Sequence, residues 1–503
     1  MIVLTLLWVV LAVCEGVTYV RLPVRRSMVR NVWLGVLLLL VLASTALRLW
    51  TSWHAWAIFC LLALYRSVNL VRFWKARLQV DQLRSVTLRA YIWLITLQAV
   101  VLAVGSVVNH WHLGYRLLAA TVVLQLLVAV LLLRSTLHTW RHTEPFTSTK
   151  PLTDRELPTL SVLIPARNET DELQECLDRL VASTYPKLEI IVFDDNSANR
   201  RTPDIIRGFA QDGVRFVRGS APDETNWLAK NQAYAGLRHE ASGELLLFCG
   251  VDAQFDTDSL RRLVEVLLER QKDMLSVLPL KSARIPARLS LLQPMRYYWE
   301  ICLPRRFFKR PPVLSTCWLI RASALDQAGG FEAVQRSMTP EAYFARHAVV
   351  TDAYSFIRSN DRLGIYSIKP VDDQYDTSVR MRYPQLHRRL ELVALTTLAE
   401  LAFLLGPIAG LCLLGFLDQA MAYAAMWGVA VACLLVTYYL VAVATKLNNP
   451  FLAWLLMPIA FLGDIVVQHV SLYKYEFSHV DWKGRDAAVP VMRIVPTRPI
   501  TKG

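Results

Sequence analysis

The chain has 503 residues, 54% of them hydrophobic and 19% charged, with a mean hydropathy of +0.33 and a formal net charge of +14. Soluble domains average roughly 45–50% apolar and about 25% charged, so a small soluble module and a disordered chain are both excluded. The eight cysteines form no Cys-x-x-Cys pair, which argues against a zinc cluster or a disulfide scaffold.

The apolar excess sits at the two ends. Residues 1–134 hold five stretches of crossing length, at 1–19, 32–50, 53–71, 90–109 and 115–133, and stretches near 20 residues match the roughly 30 Å hydrocarbon core of a bilayer. The first has no basic n-region and no small-residue cleavage site, so it is expected to be a retained helix rather than a signal peptide. Arg21, Arg25, Arg26 and Arg30 lie in one loop and Arg72, Lys75, Arg77, Arg84 and Arg89 in another, whereas 51–54 and 109–112 carry no Lys or Arg. The positive-inside rule then places the basic loops in the cytoplasm, and five crossings deliver the central part of the chain there too. Basic loops beside anionic headgroups gain about 1 kcal/mol per charge. The net charge therefore reads as topology, and with no nucleic-acid motif present no nucleic acid is expected as a partner.

After a linker at 135–158 a domain is expected at 159–379, and its residues 160–280 read as alternating strands and amphipathic helices. Strands are expected at 160–165, 188–193, 214–217 and 244–248, with helices at 171–181, 203–211 and 227–238 between them. This order implies an α/β domain with a doubly wound, mostly parallel sheet, inserted between transmembrane helical blocks. Ligands of such sheets bind beyond the carboxyl ends of the strands. There stand Pro165, Arg167 and Glu169, then Asp194 and Asp195, then Asp252. A carboxylate pair can accept hydrogen bonds from a base or ribose, and a further carboxylate can hold a hard divalent cation. Asp195-Asn196-Ser197 would serve equally well as a helix cap. Lys230 opens a helix whose free N–H groups suit phosphate, although a solvated surface lysine is the simpler reading.

Ser161–Glu169 and Glu189–Ser197 closely resemble the two opening motifs of the inverting glycosyltransferases of family 2, which have the nucleotide-sugar-binding GT-A fold. The resemblance runs from about Leu160 to Arg389. Trp227–Asn231, Gly243–Phe248 and the tail Val480–Arg485 look most like the branch of carotenoid-glucosylating and hopanoid-associated membrane enzymes. The resemblance implies a nucleotide-sugar donor, with Pro165, Arg167 and Glu169 among the residues that bind it, Asp194 and Asp195 on base and ribose, Lys230 on the diphosphate and Asp252 on Mg²⁺ or Mn²⁺. Gly250-Val251-Asp252 departs from the family's Asp-x-Asp, and Val350-Thr351-Asp352 from its Glu-Asp. Asp352 is the expected general base, taking the acceptor hydroxyl's proton; a helix N-cap is its other reading. Asp376–Tyr383 resembles the Arg-Met-Tyr element of that branch, and Gln385–Arg389 the Gln-x-x-Arg-Trp signature of processive synthases with Arg389 in place of Trp. Arg380, Arg382, Gln385, Arg388 and Arg389 are thus expected on the donor, carried by an interfacial arginine-rich helix at 380–391. A snorkelling helix without catalytic duty is the alternative.

A second apolar block at 392–472 offers stretches at 392–417, 420–444 and 450–472, for two or three crossings. The tail 473–503 is basic and favours the cytoplasm, so one stretch, near Gly406-Pro407 or Asn449-Pro450, is expected not to cross. Glu400, Asp464 and His469 lie in or beside these stretches, where ionisable groups pair or serve function. The whole reads as an integral inner or plasma membrane enzyme with a cytoplasmic catalytic domain. It would move a sugar from a UDP-sugar to a lipid-embedded hydroxyl with inversion. A processive polysaccharide synthase and an inactive sugar-nucleotide sensor or scaffold are the alternatives.

Overall fold

The computed structural model describes residues 53–75, 81–143, 151–221, 223, 226–281, 293–302, 311–368, 371–414, 420–444 and 450–487, with positions 10, 13 and 14. The expected crossings at 1–19 and 32–50 lie outside the described residues but for those three positions. The chain divides into two compact units, one of residues 130–384, 432–467 and 479–503, the other of 1–129, 385–431 and 468–478.

The first unit is built on β1 (Leu160–Ala166), β2 (Leu188–Asp194), β3 (Val214–Arg218), β4 (Leu245–Cys249), β5 (Ala253–Phe255), β6 (Met274–Leu278), β7 (Leu280–Lys281), β8 (Cys317–Arg321), β9 (Tyr354–Arg358) and β10 (Ile365–Ser367). Seven of these form one sheet in the order β3-β2-β1-β4-β8-β6-β9, and β5, β10 and β7 form a small second one. Within the large sheet β8 runs antiparallel to both neighbours and the other pairs are parallel. Successive residues of a strand face opposite sides, and both sides are buried here. Val162, Ile164, Ile190, Val192, Leu245 and Leu247 pack on one face with Leu173, Leu177 and Leu180 of helix Asp171–Val181. Leu163, Ile191, Leu246, Phe248 and Trp318 pack on the other with Tyr234, Phe331 and Phe344. The near-continuous apolar strands follow from this double burial, and each fully buried Leu, Ile or Phe contributes on the order of 1.5–3 kcal/mol. The doubly wound α/β sheet expected from the sequence is thus present, with the architecture of the GT-A fold.

Four helices among the described residues are long and apolar enough to cross a membrane: Arg89–His110, Gly114–Arg141, Leu390–Cys412 and Met421–Ala444. The stretch at 450–472 is not one of them. It splits into Pro450–Leu455 and Met457–Phe477, because Pro458 lacks the N–H that would join the two and its ring displaces the preceding turn. Leu390–Cys412 carries a π-turn at Glu400–Leu405, just ahead of Pro407. Within the helical unit, Gln125 Nε2 donates to the Ala402 carbonyl in that turn at 2.7 Å, and Trp427 Nε1 donates to Gln125 Oε1 at 2.8 Å. Tyr65 meets Thr397 and His469 there, and Gln468 bonds Thr396 and Thr397, so these polar side chains satisfy one another.

The arginine-rich segment is not one helix over 380–391. Helix Val371–Gln385 ends first, His387 and Arg388 take left-handed backbone with φ of 57° and 54°, and a new helix starts at Leu390.

Candidate active site at the carboxyl edge of the sheet

β1 and β2 run parallel in register from Leu160 and Leu188 to Ala166 and Asp194, so the residues following them emerge side by side. The Asp195 N–H bonds the Ala166 carbonyl at 2.8 Å, and Arg167 Nη1 donates to the carbonyls of Asp195 (2.8 Å) and Asn196 (2.6 Å). Asn168 and Asn196 hold φ near +50°, which asparagine tolerates better than most residues. The Asn168 side chain accepts from the Ala198 and Asn199 N–H groups, and Asp194 Oδ1 accepts from the Ser197 N–H at 3.1 Å. Ahead of helix Arg201–Gly208 it is Asn199, not Asp195, whose side chain accepts a first-turn N–H, that of Thr202.

Arg167, Glu169, Asp194 and Asp195 are all buried. Arg167, Glu169 and Asp195 are covered by a hairpin, β11 (Asp481–Trp482) and β12 (Arg485–Asp486), turning at Lys483-Gly484. Arg485 donates to Asp195 Oδ2 at 2.6 Å, Lys483 pairs with Glu169, and the Lys483 carbonyl accepts from Arg167 Nε and Asn168 Nδ2. Burial pushes the Asp195 and Glu169 carboxyls up from their ordinary values, against the opposing pull of Arg485 and Lys483. Burial, then the neighbouring Arg485, pulls the Arg167 guanidinium down.

β4 delivers Gly250-Val251-Asp252 to the same edge. A side chain at 250 would run into the Asp252 carboxylate, which occupies the space left by the missing first acid of Asp-x-Asp. Helix Ala229–Glu240 precedes β4, so its first turn with Lys230 also lies on this edge; Lys230 Nζ stands 5.1 Å from the Tyr234 ring centroid. Beside it, Asn231 is buried and donates to the carbonyls of Val334, Gln335 and Ser337. That anchors the segment leading into helix Pro340–Val350, whose first turn carries the buried Glu341, 2% exposed. Burial raises the Tyr234 hydroxyl well above its usual value, and the charges of Glu341, Cys249 and Asp252 raise it further.

Asp352 does not join them. β9 is parallel to β6 and β4, so its first residues lie at the amino edge of the sheet, opposite Asp195 and Asp252. Asp352 sits just ahead of β9, its side chain 98% exposed and paired with Lys272. The residue expected to be the general base thus stands on the edge opposite the other expected site residues. Glu341, missed in the sequence, is 11 residues upstream and one helix length, about 16 Å, away at the other edge. Its signal, Thr339-Pro340-Glu341, reads as an ordinary helix start with proline at the first position and an acid in the first turn.

Of the expected arginines, Arg380 stacks on Trp482 of the hairpin, 5.5 Å from the ring centroid, and so reaches the site's cover. Arg382 pairs with Asp464, which also accepts from Trp299 Nε1. Gln385, Arg388 and Arg389 belong to the helical unit; there Arg388 and Arg72 share Glu476, and Arg389 pairs with Glu391. Pro165 lies in β1 opposite Phe193, half-buried.

Among the described residues no three His, Cys, Asp or Glu side chains gather into a metal cage. A small divalent cation that takes one carboxylate and completes its shell with waters and substrate phosphates nevertheless suits the half-buried Asp252.

Residues 161–329 match the family model described as Glycosyl transferase family 2. The probable glycosyltransferase YdaM of Bacillus subtilis is 30% identical over 189 residues, covering 35% of this chain and 44% of that protein. An undecaprenyl-phosphate 4-deoxy-4-formamido-L-arabinose transferase of Edwardsiella ictaluri is 34% identical over 110 residues, 21% of this chain and 33% of that protein. The chain thus spans less than half the length of these curated relatives. Among solved structures, a mannosyltransferase of Pyrobaculum calidifontis in complex with GDP-Man and Mn²⁺ overlays with a TM-score of 0.41 at 18% identity, over 67% of this chain and 99% of that one.

Proposed function

We propose that this chain, whose residues 161–329 match the family model of glycosyltransferase family 2, moves a sugar from a UDP-sugar to a hydroxyl of a lipid-embedded acceptor, with inversion, at the cytoplasmic face of an inner or plasma membrane. The observation that carries it is the convergence of Asp194, Asp195, Asp252, Lys230 and the buried Glu341 on one edge of the sheet. Support for a lipid acceptor comes from the four helices of membrane-crossing length in the same chain.

In this reading Asp194 and Asp195 accept hydrogen bonds from base and ribose. Lys230 and the positive end of its helix meet the diphosphate. A divalent cation at Asp252 would neutralise phosphate charge when bound. Glu341 is the general base: the acceptor oxygen bonds to the anomeric carbon, its proton passes to the Glu341 carboxylate, and the bond to the diphosphate oxygen breaks with its electron pair on the nucleotide. Its burial keeps bulk water from competing for that carboxylate. Arg380 approaches the site through Trp482.

The test is purified full-length protein with UDP-sugars and extracted membrane lipids, the products read by mass spectrometry and anomeric configuration. One added sugar of inverted configuration is expected. A ladder of long chains would replace the reading with a processive synthase, and nucleotide binding without transfer to any lipid would replace it with a sensor.

A further inference from the structure

The 481–486 hairpin lies in the crevice beyond the ends of β1 and β2, where an open α/β sheet takes its ligand. Its turn is a tight two-residue one, Lys483 and Gly484 holding φ of 50° and 83°, the left-handed pair that hairpins of this length require. The short ladder Asp481↔Asp486 and Trp482↔Arg485 is closed by the Ala487 N–H on the Val480 carbonyl and by Asp486 accepting from the Val480 N–H. The pair at its tip faces inward. Arg485 takes Asp195 Oδ2 at 2.6 Å and the Asp195 carbonyl at 3.1 Å, Lys483 takes the Glu169 carboxylate, and the Lys483 carbonyl takes Arg167 Nε and Asn168 Nδ2 at 3.1 and 3.0 Å. On its flank Trp482 is held under Arg380.

These contacts are polar and charge-assisted, the kind that another charged ligand can exchange. Asp195 is 4% exposed and Glu169 8% with the hairpin seated, so the acceptors a nucleoside needs are engaged by the chain's own cations. We propose that this hairpin is a displaceable lid which competes with the donor nucleotide for Asp195 and Glu169, holding the site closed until a nucleoside diphosphate enters. The lid rests on the donor-site reading above. Opening exchanges two internal ion pairs for contacts with the nucleotide, and frees Arg485 and Lys483 at the mouth of a site that has just taken up phosphate charge. Apparent nucleotide affinity is then the intrinsic affinity scaled by the fraction of molecules with the lid open.

The test uses the full-length protein in detergent, with UDP and GDP each titrated by calorimetry. Lys483→Asn combined with Arg485→Gln keeps a turn-compatible residue at 483 while removing both cations. The expected result is nucleotide binding about five- to tenfold tighter than in the unaltered protein. Unchanged or weaker binding by the variant, with the unaltered protein binding normally, overturns the lid alone. No binding of either nucleotide to either protein overturns the donor-site reading and the lid with it. A second measurement needs no variant: saturating nucleotide should accelerate tryptic cleavage after Lys483 and Arg485, read from the released peptides. Slower or unaltered cleavage would mean that the hairpin stays seated on the nucleotide, and overturns the proposal.

Discussion

A carboxylate acts as a base only where an acceptor hydroxyl can reach it, so chain position near a motif matters less than which edge of the sheet it occupies. Asp352 and Glu341 bracket one helix and end on opposite edges. Glu341→Gln is therefore expected to lower transfer by about 10²–10⁴-fold while leaving nucleotide affinity nearly unchanged, because the amide keeps the packing but cannot take the proton. Asp352→Asn should leave kcat close to that of the unaltered protein. Steady-state rates and nucleotide titration of both variants decide it, and the reverse ranking would return the base to Asp352. In the sequence Asp352 also read as a helix cap and Glu341 did not stand out at all; only the strand order, with β9 beyond β6 at the far side of β8, separates them.

Glu189 shows a second residue-scale effect, with a sign that can be worked out. Burial pushes its carboxyl up, but hydrogen bonds from Ser161 Oγ, the Ser242 N–H and hydroxyl, and Arg215 outweigh burial and leave it below the ordinary value. A depressed carboxylate stabilises the fold above its unfolded pKa, about 4.3, and that contribution is lost as pH falls through the lower folded value. Glu189→Gln should thus destabilise the domain by about 1–2 kcal/mol at pH 7, and the difference in melting temperature should narrow toward pH 3–4. A gap that stays constant with pH would show that the charge is not what ties β1, β2 and β3 together.

At the scale of elements, the strands of the catalytic unit were legible because their burial is periodic. Val162 and Ile164 face one way and Leu163 the other, and both faces are apolar. The Asp-Trp-Lys-Gly-Arg-Asp hairpin carries its own local turn signal, but its docking partner is over 280 residues away in sequence, and no local pattern encodes that pairing. The π-turn at Glu400–Leu405 was visible only as a helix interrupted by Gly406-Pro407. What holds it is Gln125, which bonds both the Ala402 carbonyl and Trp427 and leaves no room for a side chain at Gly406. Hydrogen bonds between membrane helices average about 0.6 kcal/mol each and reach roughly 1.7. Gln125→Leu removes two, so a loss of about 1–2 kcal/mol is expected, seen as a lower melting temperature in detergent. Gly406→Val should do the same by forcing Gln125 aside, and the two changes together should be less than additive, since they break the same contacts.

At the scale of the whole molecule, an apolar fraction of 54% averages two different objects: a block of helices long and apolar enough to cross a membrane and an α/β domain of ordinary polarity. The sorting of Lys and Arg into alternate loops predicts which side of the membrane that domain occupies. The described turn Asn109–His112 carries no Lys or Arg, and Trp111 is exposed there between the two crossing-length helices Arg89–His110 and Gly114–Arg141. If the domain is cytoplasmic, a cysteine at His112 faces the outside and one at the exposed Asp212, beside β3, faces the inside. In a background with the exposed Cys14 and Cys412 replaced by serine, a membrane-impermeant maleimide should label His112→Cys in intact cells and Asp212→Cys only after permeabilisation. Labelling in the opposite order would put the donor site outside, away from cytoplasmic nucleotide sugars, and the charge bias of the loops would then need another origin. Labelling of both in intact cells would remove the membrane from between them, and with it the reason for expecting an acceptor embedded in lipid.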